Sequence, residues 1–580
     1  MLSISRRSSL RLGRALGGQG WHLCRAMSTD TSSDSHVVTN FSKYEYPNRT
    51  EAPIIKATTA ENVANLELNS SGTPSNKLYD PSDPFDERGQ LSVDERERIR
   101  DQQTSAFGAI KLSSLPITES VPDFIPPNVA STELSAPETI ITKLDNGIRV
   151  VSQETYGQMC TIGVLTNVGS RHEPTSGIVH MLETMSFGRT KEYDGLQIAE
   201  MLQDWGASRF VSHSREQTLH CIDILRPNVK DGMQLLSEVV LSPLITEVPQ
   251  DFMEALAVLE FQAQEQLPEL VLGEALQVAA YGADQQLGKI HFGTPETIPL
   301  LTPDLVQNFY DTNIRSNPEG MVIAGAGIGH TELVELATNY FGEMRQTGSP
   351  ATLPSEYRGG SHFIGNSTQS SIFSPTMPEE DFCRVALAFP VGGWHSDSMV
   401  TACVLQTLLG GGSSFSAGGP GKGMYSRMYQ QVLNRYGWME TAEAFTTFAD
   451  EGGLFGVSAS TPAPNRVKDL VTVLADQLAR LAFQQVDDIE LSRARNMLKC
   501  NVLTQLESRL ILFEDMGRQV LTYGKREDAA TTCKKIDDVT AEDIQQLALQ
   551  MLQGNPPTIA ATGSHLDQIP SHEEIARWFQ

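Results

Sequence analysis

The chain has no run of about eighteen uncharged apolar residues, the minimum for a membrane-spanning helix. That excludes a helical span and leaves open docking on the face of a membrane assembly. Cysteine is sparse and scattered. Cys24, Cys160, Cys221, Cys383, Cys403, Cys500 and Cys533 include no C-x-x-C pair, so neither a disulfide framework nor a cysteine zinc site is indicated. Basic residues are in deficit, 44 Lys and Arg against 71 Asp and Glu, which gives a formal net charge of -27. A field of that sign repels nucleic acid and draws basic partners. The apolar share of 40% is that of a soluble globular protein, and 580 residues exceed one ordinary core, so two or more domains are expected.

Acid is wholly missing from residues 1–26, MLSISRRSSLRLGRALGGQGWHLCRA, which instead carry Arg6, Arg7, Arg11, Arg14 and Arg25 among Ser and Leu. This is the composition of an organellar transit peptide, and mitochondrial import with removal after Ala26 is expected. Without those arginines the formal charge falls from -27 to about -32. Residues 27–130 are polar and lack sustained periodicity, and Asp80–Gln103 is dense in charge and Pro. They are expected to be a largely disordered acidic extension.

Regular patterning starts near Glu138. ETIITKLDNGIRVVSQE alternates around Asp145-Asn146-Gly147, a hairpin signal. A strand is expected from Cys160, a helix over about Gly177–Phe187, and a second helix ending at Trp205. The strand TLHCIDIL follows, then a helix rich in Leu and Val, then a helical stretch over Pro249–Tyr281 broken at Pro268. GMVIAGAGI and HTELVELATNYFGEM close the half as strand and helix. CRVALAFPVGGWHSDSMVTACVLQTLLGG restarts the order, and an offset of 223 lays Val168-Gly169 on Val391-Gly392. AFTTFADEGGLFGVSAS reads as a strand, with helices at RVKDLVTVLADQLARLAF, Asp488–Gln505 and Ala541–Leu552. A duplicated α/β architecture is expected, one domain over residues 131–350 and the other over 351–580.

Two segments carry chemistry. In GSRHEPTSGIVHMLETMSFG the order His180-Met181-Leu182-Glu183-Thr184 falls one residue short of H-x-x-E-H, the helical motif in which two histidines hold zinc and the Glu takes a proton from bound water. Thr184 offers a neutral hydroxyl where the second imidazole belongs. His172, His213 and His220 do not lie at helical spacing from His180. His180 and Glu183 could equally satisfy each other. The second segment, GGGSSFSAGGPGKG over Gly410–Gly423, has seven glycines in fourteen positions, and an exposed mobile loop is expected there. It is not a phosphate loop: Ser416 stands where the first glycine of G-x-x-x-x-G-K-[ST] belongs, and Gly423 where the hydroxyl residue belongs.

LDNGIRV, NVGSRHEP, GIVHMLE and PELVLGEALQVAAY together resemble the pitrilysin-like metallopeptidase family, in its group of processing peptidases and cytochrome bc1 core proteins. The resemblance covers most of residues 138–580. It implies an α/β fold of the α+β type, with two homologous domains that each pack a mostly antiparallel sheet against helices. It implies a noncatalytic alpha-type subunit with no metal or cofactor of its own, paired with a catalytic beta subunit that carries zinc. His180 and Glu183 match the first histidine and the catalytic Glu, and Thr184 the lost histidine. For the third ligand, raw spacing points to Glu260, while the local match around FQAQEQLPEL points, with slightly more weight, to Gln262. Gly410, Gly411, Gly412, Phe415, Gly418, Gly419, Gly421, Lys422 and Gly423 match a loop implicated in capturing basic presequences in the mitochondrial matrix or at the matrix face of the inner membrane. The alternative that the family implies is a structural core subunit among the subunits of respiratory complex III.

Overall fold

The computed structural model describes residues 137–155, 157–365, 382–415 and 423–579. The basic leader, the polar stretch 27–130 and residues 416–422 lie outside the described residues, and with them Gly418, Gly419, Gly421 and Lys422.

Strands β1 (Ile140–Lys143), β2 (Arg149–Gln153), β3 (Met159–Thr166), β4 (Ser208–His213), β5 (Thr218–Leu225) and β6 (Met321–Ala326) form a six-stranded sheet in the order β1-β2-β6-β3-β5-β4. The first turn is the Asn-Gly turn read from the sequence. Gly147 takes φ 96°, and its N–H donates to the Leu144 carbonyl at 2.9 Å. Strands β7 (Gly360–Gly365), β8 (Cys383–Val391), β9 (Gly411–Ser413), β10 (Thr441–Phe448), β11 (Gly453–Thr461) and β12 (Thr558–Gly563) form a second six-stranded sheet, β7-β12-β8-β11-β10-β9. AFTTFADEGGLFGVSAS is thus not one strand but the hairpin of β10 and β11, turning at 449–452.

Without the edge strands β1 and β9 the sheets share one order, β2-β6-β3-β5-β4 and β7-β12-β8-β11-β10. In each, the parallel pair falls at the same place, β2 with β6 and β7 with β12, and the other neighbours run antiparallel. One five-strand plan is used twice.

The helices of the first half are α1 (Ile178–Met185), α2 (Gly195–Asp204), α3 (Val229–Leu241), α4 (Gln250–Glu265), α5 (Pro268–Tyr281), α6 (Pro303–Tyr310) and α7 (His330–Phe341). Those of the second are α8 (Met399–Leu409), α9 (Val467–Phe483), α10 (Asp488–Leu506), α11 (Arg509–Tyr523), α12 (Ala529–Asp538), α13 (Ala541–Leu552) and α14 (His572–Arg577). Successive strand residues point to opposite faces, so each sheet has two faces to cover. Each half covers one with its own helices: Ile162 and Val164 of β3 pack with Met233, Leu236 and Phe341, and Leu387 of β8 with Leu474 and Ile544.

The other face of each sheet is covered from the opposite half. Leu512, Phe513, Met516 and Val520 of α11 pack on Val151, Leu165, Val322 and Ala324 of the first sheet. Reciprocally, Leu272, Ala275, Leu276 and Ala280 of α5 pack on Ala386, Ala388, Leu454 and Ala560 of the second. Charge closes the seam. Arg171, only 1% exposed, donates to Glu451 at 2.6 and 2.7 Å and contacts Glu216, and Arg509 grips Asp223 at 2.6 and 2.7 Å. A buried guanidinium needs this fixed planar partnering, because loss of its carboxylate would leave an uncompensated charge.

The exchange depends on close backbone approach. A Cβ placed on Gly163 of β3 would lie 2.5 Å from the His220 carbonyl oxygen and 2.5 Å from Phe513 Cζ of α11. Gly→Ala in an open strand interior stabilises by roughly 0.5–1 kcal/mol. Gly163→Ala is expected to do the reverse, lowering stability by about 1–3 kcal/mol through overpacking. Denaturant unfolding measures it, and an unchanged or raised midpoint would contradict the close packing of α11 on β3.

Candidate functional site

Helix α1 starts at Gly177, which takes φ 103° and brings no side chain to cap the free N–H groups of the first turn. Glu173 does that work from four residues upstream: the Gly177 N–H donates to its Oε1 at 3.0 Å and the Val179 N–H to its Oε2 at 2.9 Å. Glu173 is fully buried, and burial pushes its carboxyl up to about 8 against the pull of those donors and of Lys289. A Cβ on Gly177 would lie 3.2 Å from Gly293 Cα, so the helix start is pressed against the loop that carries His291. The position of α1 is set by backbone contact on one side and a dry carboxyl on the other.

From that helix His180 and Glu183 point to one cluster, while the Thr184 hydroxyl turns back and donates to the His180 carbonyl at 2.9 Å. A hydroxyl bonded within its own helix presents nothing in place of an imidazole. What stands beside Glu183 is His213, the last residue of β4, whose Nδ1 is in ion-pair contact with Glu183 Oε2. The His180 and His213 rings have centroids 5.6 Å apart. Of the two positions weighed for a third ligand, Glu260 is the one that approaches: its Oε2 lies 3.6 Å from His180 Nε2. Gln262 is two residues on along α4, about 200° round the helix from Glu260.

His291 completes the group, its ring 5.3 Å from His213 and 6.5 Å from His180. Its Nδ1 sits 2.7 Å from Glu274 Oε1, and Arg215 Nη2 donates to Glu274 Oε2 at 2.8 Å. Burial pushes the Glu274 carboxyl up, but Arg215 and His291 together hold it well below the usual carboxylate range. Burial lowers His291 to about 4 despite Glu274, so this ring is neutral at physiological pH. His220 is likewise lowered by burial to about 4, and its Nε2 lies 2.9 Å from the Ser186 hydroxyl, while His172 pairs with the Gly169 backbone. Neither joins the cluster. His180, 7% exposed, has no hydrogen-bond partner for either ring nitrogen, and His213 Nε2 has none. A buried polar atom left unpaired costs about 1–3 kcal/mol.

The described part of the glycine run departs from the loop expected there. Gly410 ends α8, and Gly411, Gly412 and Ser413 are strand β9, paired with Glu443, Ala442 and Thr441 of β10. Gly411 takes φ 105°, and a Cβ there would lie 2.0 Å from the Ala442 carbonyl oxygen. A Cβ on Gly412 would lie 2.6 Å from Tyr429 Oη. These glycines are demanded by the sheet edge. Beyond them Phe415 stands 93% exposed, and Met424 and Tyr425 are exposed on the far side of residues 416–422. Gly423 takes φ 85° with open space around its Cα.

A family model described as Insulinase (Peptidase family M16) matches residues 149–294, and one described as Peptidase M16 inactive domain matches residues 301–498. The mitochondrial-processing peptidase subunit alpha of Bos taurus is 32% identical over 480 residues, covering 80% of this chain and 89% of that protein. The chain belongs to the M16 peptidase family, in its group of mitochondrial-processing peptidase alpha subunits. The Solanum tuberosum alpha subunit matches at 32% identity over 475 residues, covering 81% of this chain and 88% of its own. A solved chain of Complex III2 from Candida albicans, Inz-5 bound, shares the fold of this M16 chain at a TM-score of 0.64 and 16% identity, over 76% of this chain and 100% of that one. Alpha-subunit relatives and an inactive M16 domain fit a chain without a catalytic cofactor of its own. No helix among the described residues is long and apolar enough to cross a membrane.

Two outcomes follow from this geometry. Glu173 holds its proton in the fold up to about pH 8 but releases it near 4.5 when unfolded, so its contribution is full below 4.5 and is lost as pH rises through 8. The stability difference between wild type and Glu173→Gln should therefore shrink from pH 5 to pH 8, and a pH-independent difference in melting temperature would contradict this. Gly411→Val should cost about 2 kcal/mol or more through its backbone angle and its clash with β10. Thermal unfolding checks it, and a wild-type melting temperature would argue against β9.

Proposed function

We propose that this chain is the noncatalytic, substrate-recognition alpha subunit of a mitochondrial processing peptidase, binding basic presequences for cleavage by a zinc-containing beta subunit. The observation that carries this reading is the helix α1 motif, where the Thr184 hydroxyl is spent on the His180 carbonyl and the Glu183 carboxylate is engaged by His213. A zinc hydrolase needs a second imidazole from that helix and a carboxylate free to take a proton from bound water. Neither is on offer, so hydrolysis belongs to a partner.

Recognition needs only a surface that holds an extended or helical basic peptide without reading a fixed sequence. The net charge of -27 supplies long-range attraction for such a peptide. Phe415, Met424 and Tyr425, exposed at 93%, 44% and 69%, supply apolar contact at both ends of the glycine run. Gly418, Gly419, Gly421 and Gly423, whose main-chain donors no side chain screens, complete the proposed contact surface together with Lys422. Gly410, Gly411 and Gly412, at the end of α8 and in β9, precede these residues in the chain. The site of action on this reading is the mitochondrial matrix or the matrix face of the inner membrane. Likeness of fold to a complex III2 chain favours a second role as a core subunit, for which co-purification with cytochromes b and c1 is the test.

Phe415→Ala and Tyr425→Ala, each assembled with a beta-type partner, should raise KM for a basic presequence about 3- to 10-fold and leave kcat within about 2-fold, as loss of uniform binding requires. Steady-state cleavage kinetics decide it. Unchanged KM in both variants would remove this surface from the reading.

A further inference from the structure

The degenerate motif leaves a physical problem that noncatalysis alone does not solve. His180 is buried, yet neither of its ring nitrogens has a hydrogen-bond partner, and His213 Nε2 is buried without one beside it. Buried polar atoms are almost always paired with protein, water or an ion. Here the unpaired nitrogens belong to two neighbouring imidazoles, and Glu183, on the same helix as His180, contacts the second of them. His180, Glu183 and His213 each offer one ligand atom, and all three atoms lie within 4.8 Å of one another.

We propose that His180, Glu183 and His213 hold a divalent ion of the zinc class, with His213 supplying from β4 the nitrogen that Thr184 cannot supply from α1. Two imidazoles and one carboxylate form a donor set suited to Zn2+, Co2+ and Ni2+. Ligands about 2 Å from an ion sit roughly 3–3.5 Å apart, so small side-chain rotations close a cluster of this span. Glu260, with Oε2 at 3.6 Å from His180 Nε2, is in reach as a fourth ligand. Behind them Glu274 fixes His291, whose ring backs His213 at 5.3 Å, and Arg215 fixes Glu274. Outer partners of this kind orient the ligands of metal sites.

The ion would be structural. Glu183, the proton acceptor of an intact motif, serves here as a ligand in contact with His213, so no carboxylate of α1 is left to activate water. Its effect is to tie α1 to β4 and, through Glu260, to α4. This goes beyond the recognition role and does not depend on it: presequence binding involves residues 410–425, and the ion sits among residues 180–291.

The test uses the full chain, stripped with a chelator and titrated with Co2+ and then Zn2+, followed by visible absorption and calorimetry. One equivalent of Co2+ per chain should bind and be displaced by Zn2+. His180→Gln and His213→Gln should each weaken binding at least about 10-fold, whereas Thr184→Ala leaves it unchanged. Metal-free melting temperatures show whether the variants fold. Should either fail, NMR of the wild-type Co2+ form reads the same point independently, with paramagnetically shifted signals from two histidine rings expected. Absence of saturable binding to the wild-type chain, binding that survives both His→Gln changes, or a bound Co2+ that shifts no histidine signal would overturn the proposal.

Discussion

The structure depends on an exchange of helices between its two halves. A sheet of this kind has two apolar faces, and each half supplies helices for only one of them. The second face of the first sheet is closed by α11, through Phe513 and Met516, and that of the second by α5, through Leu276 and Ala280. Burial of apolar area dominates the favourable side of folding, so neither half could shed its partner without exposing a complete sheet face. The Arg171–Glu451 and Arg509–Asp223 pairs fix how the exchange registers rather than supplying its driving force, since two charges taken out of water roughly cancel their own attraction.

That exchange also sets what the site can be. Arg171 and Glu173 sit in the turn that leads into α1, so the same few residues join the halves through Glu451 and cap the helix that bears His180 and Glu183. Helix α5, which covers the second sheet, carries Glu274, the carboxylate that orders His291. With Thr184 turned back on its own helix, the surroundings of His180 and Glu183 are still fully built. The helix has its cap and the backing carboxylates, and His213 stands against Glu183. Across the molecule, the glycine run opens with a structural edge strand and carries the exposed Phe415 just beyond it.

Much of the framework was legible in the sequence because it is written locally. Asp145-Asn146-Gly147 specified its own hairpin, Pro268 broke α4 from α5, and the paired Val-Gly turns at 168 and 391 marked the restart of a repeated five-strand plan. The elements that escaped are those defined by distant contact. Helix α11 has Gly517 in its middle and apolar residues on a face that only the other half's sheet explains. Strand β4 is six residues of mixed polarity, and with it went the partnership of His213 with Glu183, which no helical spacing could reveal. Gly410–Gly412 read as loop because glycine is poor in regular elements, whereas here positive φ and the approach of β10 and Tyr429 require it. His291 carried no spacing signal at all, and its place follows only from the fold of the segment after α5. Glu260 and Gln262 differ by two residues of alignment, and the geometry puts the carboxylate, not the amide, against His180.

On the proposed reading this chain recognises substrate but cannot cut it, even with an ion in reach of His180 and His213. Hydrolysis of a basic presequence by the isolated full chain, measured at saturating Zn2+ and again after a beta-type partner is added, tests it most directly. No turnover is expected from the chain alone at any zinc concentration, and turnover is expected on addition of the partner. Chelator-sensitive cleavage by the chain alone, abolished by Glu183→Gln, would contradict it.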